Sequence, residues 1–118
     1  MPKQPTIAAN WTLRPIYYGD TWDGFTWAAT STGTAFAGTL TSVEIKFADE
    51  DGTVGLTLTN SSGITIDVAT PNAWAITVNQ IAASTLAVGT WSVWLTTTDN
   101  ASIRKTRCIG SLTVKEKP

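Results

Sequence analysis

Hydrophobic and polar positions alternate over short stretches of the chain that are separated by turn residues, and the clearest such stretch is residues 90–98. It follows a glycine and consists almost wholly of strand-forming residues, which predicts a central β-strand. Successive side chains of a strand point to opposite faces, so Trp91 and Trp94 cannot share a face. We expect Trp91 in the core and Trp94 on a contact surface, because a lone large aromatic among hydroxyls is unusual on a solvated face.

The same two-residue period continues from residue 42 to residue 78, where four hydrophobic stretches are separated by turn residues. The first turn, residues 49–52, is acidic and ends in the hairpin dipeptide Asp51-Gly52. Four strands joined by three short turns indicate an antiparallel meander. In the first strand Val43, Ile45 and Phe47 are expected to point inward, and Glu44 and Lys46 outward. The hydrophobic positions of the three later strands are Val54, Leu56, Leu58, Ile64, Ile66, Val68, Trp74, Ile76 and Val78.

Residues 21–29 show a less regular strand pattern. Phe25 and Trp27 occupy the inward phase. A bulge at Gly24 would reset that phase, which leaves the direction of Trp22 open.

The last predicted strand comprises residues 103–115. Its apolar phase places Cys108 in the interior as a small hydrophobic residue, so Arg107 and Ile109 are expected to point outward. Gly110 is a candidate bulge. Outward basic residues here would protect an edge strand from unwanted pairing or pair with acids on a partner.

Residues 79–86 break the two-residue period and predict a short helical crossover that begins at Asn79 as a capping residue. We expect residues 1–6 to form a flexible, proline-containing arm, residues 7–115 a single domain, and residues 116–118 a C-terminal tail. The predicted fold is all-β, a two-sheet β-sandwich of about six to nine short strands.

The composition narrows the classes of function. The chain has 118 residues, enough for about one domain, and its formal net charge of -1 offers no basic field for nucleic acid or anionic membrane. It has no histidine, the commonest general base and metal ligand, and its single cysteine excludes an intrachain disulfide. Because neither a secretory signal nor a membrane-spanning apolar run is present, we expect a soluble protein. No cofactor is expected.

Carboxylates are the only acid–base candidates in the chain. Asp20 and Asp23 flank Trp22, a pattern that glycoside hydrolysis could use, but an aspartate beside a glycine is typical of a turn. Residues 49–51 are all acidic but lack the spacing and the final glutamate of a calcium loop, so a hairpin turn explains them better. We therefore predict no catalytic residue and no metal ligand.

Three stretches taken together resemble a known family. They are Tyr18-Gly19-Asp20-Thr21-Trp22, then residues 40–47 with the acidic turn that follows, and finally residues 79–86 leading to Val88-Gly89-Thr90-Trp91. Over residues 16–114 the chain resembles the small immunoglobulin-like β-sandwich proteins of bacteriophage virions, and it is similar to the N-terminal attachment domain of siphophage upper baseplate proteins. It departs from that pattern at Tyr18, where relatives often have an arginine, so an ion pair made by that arginine is absent.

The resemblance implies an immunoglobulin-like sandwich and a virion location after synthesis in the host cytoplasm. The implied partners are other virion proteins of the tail, baseplate, fibre or head, together with further copies of the chain, and no catalytic residues are implied. The short chain favours an adaptor or decorating subunit over a complete receptor-binding fibre.

The six tryptophans are the clearest excess in the composition. Each buries on the order of 200 Å², so about half are expected in the core, and the strand phase assigns Trp27, Trp74 and Trp91 to it. The residues predicted to contact a partner are Trp11, Tyr18, Trp22, Trp94, Arg107 and Ile109. An alternative is that the exposed tryptophans stack on host glycans.

Overall fold

The computed structural model of the protein describes residues 11–12, 15–30, 36–79 and 86–117, with the backbone alone for 11–12. Every regular element among them is a β-strand, which confirms the all-β prediction. The strands are β1 (Trp11–Thr12), β2 (Ile16–Tyr17), β3 (Phe25–Thr30), β4 (Leu40–Ala48), β5 (Val54–Thr59), β6 (Ile64–Val68), β7 (Ala73–Val78), β8 (Gly89–Asp99) and β9 (Arg104–Lys115).

The helical crossover predicted at residues 79–86 falls mostly on residues 80–85, which lie outside the described residues. The arm predicted at residues 1–6 lies outside them too. Asn79 and Leu86, at the two ends of the predicted crossover, have no helical backbone.

The strands form two sheets, and the larger one contains six of the described strands. Its order is β1-β9-β8-β4-β5, with β2 also paired to β9, and the smaller sheet has the order β3-β7-β6. Both β1 and β2 run parallel to β9, whereas the other pairs are antiparallel. The prediction of one continuous meander is therefore wrong, because the chain leaves the larger sheet after β5 and enters the smaller one at β6.

The hydrophobic faces of the two sheets meet in one core. Trp27, Trp74 and Trp91 are buried as predicted, and Ile45, Phe47, Ile76, Val93, Leu95 and Leu112 are among the fully buried residues around them. Two hydrophobic positions of the predicted strands are not in this core, since Val54 and Val68 are 45% and 40% exposed. A β-bulge precedes Val68 and follows Val54 in their strands, so they pair with Ala75 and Ala48, which have the opposite strand phase to the buried Ile76 and Phe47.

Two hairpins of the larger sheet are closed by the same aspartate motif. Oδ1 of Asp49 accepts hydrogen bonds from the backbone N–H groups two and four residues ahead, at 3.0 and 2.9 Å. Oδ1 of Asp99 accepts the equivalent pair, each at 2.9 Å. Each carboxylate thus satisfies backbone donors of its own turn. The hairpin turn predicted at residues 49–52 is confirmed.

Candidate contact surface

Trp94 lies on the outer face of the larger sheet, away from the core. In β8, Trp91 and Val93 are buried under the smaller sheet, whereas Trp94 points to the opposite side and is half-buried. The alternation predicted for residues 90–98 is therefore confirmed, and the two indoles point to opposite sides of the sheet.

Polar side chains from β4, β8 and β9 surround Trp94 in rows. The strand register pairs Trp94 with Lys46 on one side and with Cys108 on the other. The next two rows are Glu44, Thr96 and Thr106, and then Ser42, Thr98 and Arg104. These nine residues are called the outer face below.

Two side-chain contacts occur within the outer face. Lys46 Nζ lies 3.6 Å from Glu44 Oε1, and the hydroxyls of Thr96 and Thr106 are 2.8 Å apart. Both charged side chains of the ion pair remain partly exposed, so the pair adds little to stability, at most about 1 kcal/mol. Arg104 is exposed and makes no ion pair with the described acids. The outer face therefore carries the ion pair of Lys46 with Glu44, which is neutral overall, and the positive charge of Arg104, which no described acid balances.

A shallow groove of about 380 Å³ crosses the outer face beside Trp94. Arg104 contributes to its lining, as does Gly52 of the acidic turn. Glu50 and Asp51, next to this glycine, are exposed. The groove thus connects a basic end with an acidic end, and the indole lies between them.

The sequence-based set of contact residues omits Arg104, Glu44 and Lys46. Strand phase alone could have found Glu44 and Lys46, whereas Arg104 required the register of β9 as well. Glu44 and Lys46 alternate with buried residues of β4, and Arg104 has the opposite phase to Arg107, so all three share the face of Trp94 once the register is known.

Tyr18 and Trp11 do not belong to the outer face as far as the described residues show. Tyr18 is 53% exposed, as predicted, but it lines a separate depression with Val88 and Lys117 at the end where β2 and β9 finish. The backbone of Trp11 pairs with Gly110, and its side chain lies outside the described residues. The structure therefore does not bring Tyr18 and Trp94 together.

Trp22 is a core residue, so its prediction as a contact residue is wrong. It is 6% exposed, and its ring centroid lies 5.2 Å from that of Phe47. The cause is Gly24, whose φ of 75° breaks the strand phase. Trp22 and Trp27, five positions apart, consequently both point inward.

Arg107 and Ile109 also point inward, which corrects the prediction that they face a partner. They are 8% and 2% exposed. Val93 and Trp94 are consecutive in β8, but they pair with Gly110 and Cys108, which are not consecutive in β9. Ile109 is therefore the extra residue of a β-bulge, and the strand phase of β9 changes there. Cys108, predicted in the core, lies half-buried on the outer face instead. Burial lowers the pKa of Arg107, which pairs across the sheet with the buried Leu95.

A further depression, of about 440 Å³, lies beside β2 and β3 and is lined by Asp20, Trp22 and Asp23. Asp20 Oδ1 lies 2.8 Å from Lys117 Nζ, and the Asp20 backbone N–H donates to the Tyr17 carbonyl at 3.0 Å. Asp20 thus occupies a turn, as predicted, and ties it to the segment after β9.

Among the residues that the structure describes, no cluster of histidine, cysteine, aspartate or glutamate is large enough to hold a metal ion. The same residues include no helix of sufficient length and hydrophobicity to span a membrane. No protein-family model matches the chain, and no curated protein matches it.

Proposed function

We propose that the protein is a non-enzymatic structural subunit of bacteriophage virions, an adaptor or attachment subunit of the tail, baseplate or fibre region that acts through protein–protein contacts. The observation that carries this proposal is the outer face, where Trp94 lies half-buried beside the exposed Arg104. Tryptophan and arginine are the residue types enriched at interface hot spots. The virion context comes from the sequence resemblance.

We also propose that the sandwich is immunoglobulin-like. The order β9-β8-β4-β5 in one sheet and β3-β7-β6 in the other corresponds to strands G-F-C-C′ and B-E-D of an immunoglobulin sandwich. An experimental structure with a different strand order would refute this assignment.

The virion proposal predicts that the purified protein co-sediments with tail or baseplate particles. Trp94→Ala should weaken this binding by about tenfold or more, because it removes a large anchor from the surface. Val68→Ala is the matched control, since it removes an exposed apolar side chain from the smaller sheet. Absence of the protein from mature particles would refute the proposal, and binding to heads alone would replace it with a head-decoration role.

A second candidate function is glycan binding in aid of host adsorption. It is favoured by the groove beside Trp94, where Thr96, Thr106, Glu44 and Arg104 surround the indole with hydrogen-bonding groups. Sugars are bound by such combinations of an aromatic plane with polar groups. A glycan screen should then quench tryptophan fluorescence, and Trp94→Ala should abolish the quenching while lowering the melting temperature by no more than a few degrees.

A further inference from the structure

Opposite charges lie at the two ends of the groove on the outer face: Arg104 at one end, and the acidic turn at residues 49–52 beside the other. Arg104 pairs with Thr98, four positions after Trp94 in β8. The turn at residues 49–52 begins three positions after Lys46, which pairs with Trp94, and so lies in the opposite direction. At about 3.3 Å per strand residue, both charged ends lie roughly 10 to 13 Å from the row of Trp94.

The surface between these ends carries no net charge. Lys46 is 3.6 Å from Glu44 and neutralises it. The other residues around Trp94, between the two charged ends, are uncharged: hydroxyl residues, Cys108, Ala48 and Val54. At the acidic end, Glu50 and Asp51 are exposed and make no ion pair within the described part of the chain.

We propose that a second copy of the chain docks on the outer face, an inference that rests on the proposed function of this face as a protein-contact surface. Arg104 in β9 and the acidic turn after β4 lie on opposite sides of Trp94 both along and across the strands. A two-fold axis in the plane of the interface, passing over Trp94 at right angles to the line from Arg104 to the acidic turn, places the two indoles together. The same axis brings Arg104 of each copy over the acidic turn of the other.

Charge complementarity selects a second copy as the partner. A two-fold contact joins the same patch of both subunits, so the patch must be complementary to itself. A basic end and an acidic end at similar distances on opposite sides of a central aromatic residue meet this requirement. A patch with charge of one sign would repel its copy.

Sedimentation equilibrium between about 1 μM and about 1 mM covers the range in which small interfaces associate. The wild type should form a reversible dimer. Arg104→Glu and the double variant Glu50→Lys with Asp51→Lys should each weaken association by about tenfold or more, because both symmetric contacts then join like charges. Asp49 is left unchanged, since its carboxylate holds the turn.

Mixing the Arg104→Glu variant with the double variant distinguishes the proposed two-fold contact from a general effect of net charge on association. The mixed dimer contains one native contact and one contact with both signs reversed, and both are attractive, so association should recover to near the wild-type level. Lys105→Glu is the matched control for Arg104→Glu, because Lys105 has the opposite strand phase. By itself it should dimerise like the wild type, and it should not draw the double variant into a mixed dimer.

A wild type that remains monomeric throughout this range, or a mixture without recovery, overturns the second copy as partner. If Trp94-dependent binding to virion particles or to a glycan persists in that case, another protein or a sugar occupies the outer face. The proposed function is then tested separately by that binding. Recovery in the mixture supports the inference even if the protein is missing from virions.

Discussion

Trp22 and Trp94 are the same side chain in opposite surroundings. The ring of Trp22 meets that of Phe47 at an interplanar angle of 79°, an edge-to-face arrangement inside the core. Trp94 covers part of the outer face and keeps the rest of its ring in solvent. At the level of single residues, the first therefore contributes to stability, and the second has the role in recognition that we propose.

This difference predicts unequal losses of stability. Trp22→Ala should lower the free energy of unfolding by about 3–5 kcal/mol, because it leaves a cavity between the sheets. Trp94→Ala should lower it by about 1 kcal/mol or less, as is usual for surface positions. Urea denaturation followed by circular dichroism measures both, and equal losses would contradict the assigned roles.

Arg107 is a charged residue on the core side of the larger sheet. Burial lowers its pKa, which means that the fold disfavours the charged form. The cost applies at every pH below the folded pKa and therefore at neutral pH. Arg107→Met retains the apolar stem and removes the charge.

We expect Arg107→Met to leave the free energy of unfolding at pH 7 unchanged or to raise it by up to about 1 kcal/mol. Thermal unfolding monitored by calorimetry provides the check, with Lys105→Met as the exposed control on the same strand. A marked loss of stability in the Arg107 variant alone would mean that the charge is stabilising.

At the level of elements, Gly24 determines how the chain enters β3. Its φ is 75°, and a Cβ atom at this position would lie 1.9 Å from the carbonyl oxygen of Val78 in β7. Gly19 also has a positive φ, of 85°, but a Cβ atom there would meet nothing within 4 Å. Substituting each glycine in turn therefore separates the effect of backbone strain, which both positions have, from that of steric overlap, which only Gly24 has.

Gly24→Ala should therefore cost more stability than Gly19→Ala. The Gly19 variant should lose about 1–2 kcal/mol from backbone strain alone. The Gly24 variant should lose more, since β7 must also move away. Equilibrium unfolding of the two variants side by side is the measurement, and a similar loss in both would show that the contact with Val78 does not limit the fold.

The inward or outward direction of the side chains could be predicted from the sequence only in strands whose alternation is continuous. β7, β8 and residues 43–47 of β4 have unbroken alternation, so their inward residues and the outward direction of Trp94 were predictable. In β9 a bulge at Ile109 shifts the phase by one position, which turns every side chain beyond it to the other face. Arg107 was misassigned for this reason. The position of the acidic turn relative to Arg104 depends on pairing across three strands, which alternation alone does not supply.

At the scale of the whole molecule, the larger sheet is completed by pairs from opposite parts of the sequence. Ile16 of β2 pairs with Val114 of β9, so forming this contact closes a loop that contains almost the whole domain. Sheets with such distant pairings fold slowly, because loop-closure entropy is lost before the contacts form.

We therefore expect refolding after denaturant dilution to take milliseconds to seconds, as for other sandwiches. Stopped-flow tryptophan fluorescence of the wild type measures the rate. Refolding within microseconds would contradict a rate limit set by pairing between β2 and β9.

The parallel direction of β1 and β2 relative to β9 also determines how the domain responds to mechanical force. A pull that draws residue 11 and residue 115 apart acts along these strands, so their hydrogen bonds are loaded together in shear. In a terminal hairpin the same pull would unzip the bonds one after another. The parallel pairs therefore make the domain resistant to stretching between these two residues. The force needed to unfold it depends on the rate at which these hydrogen bonds break under load.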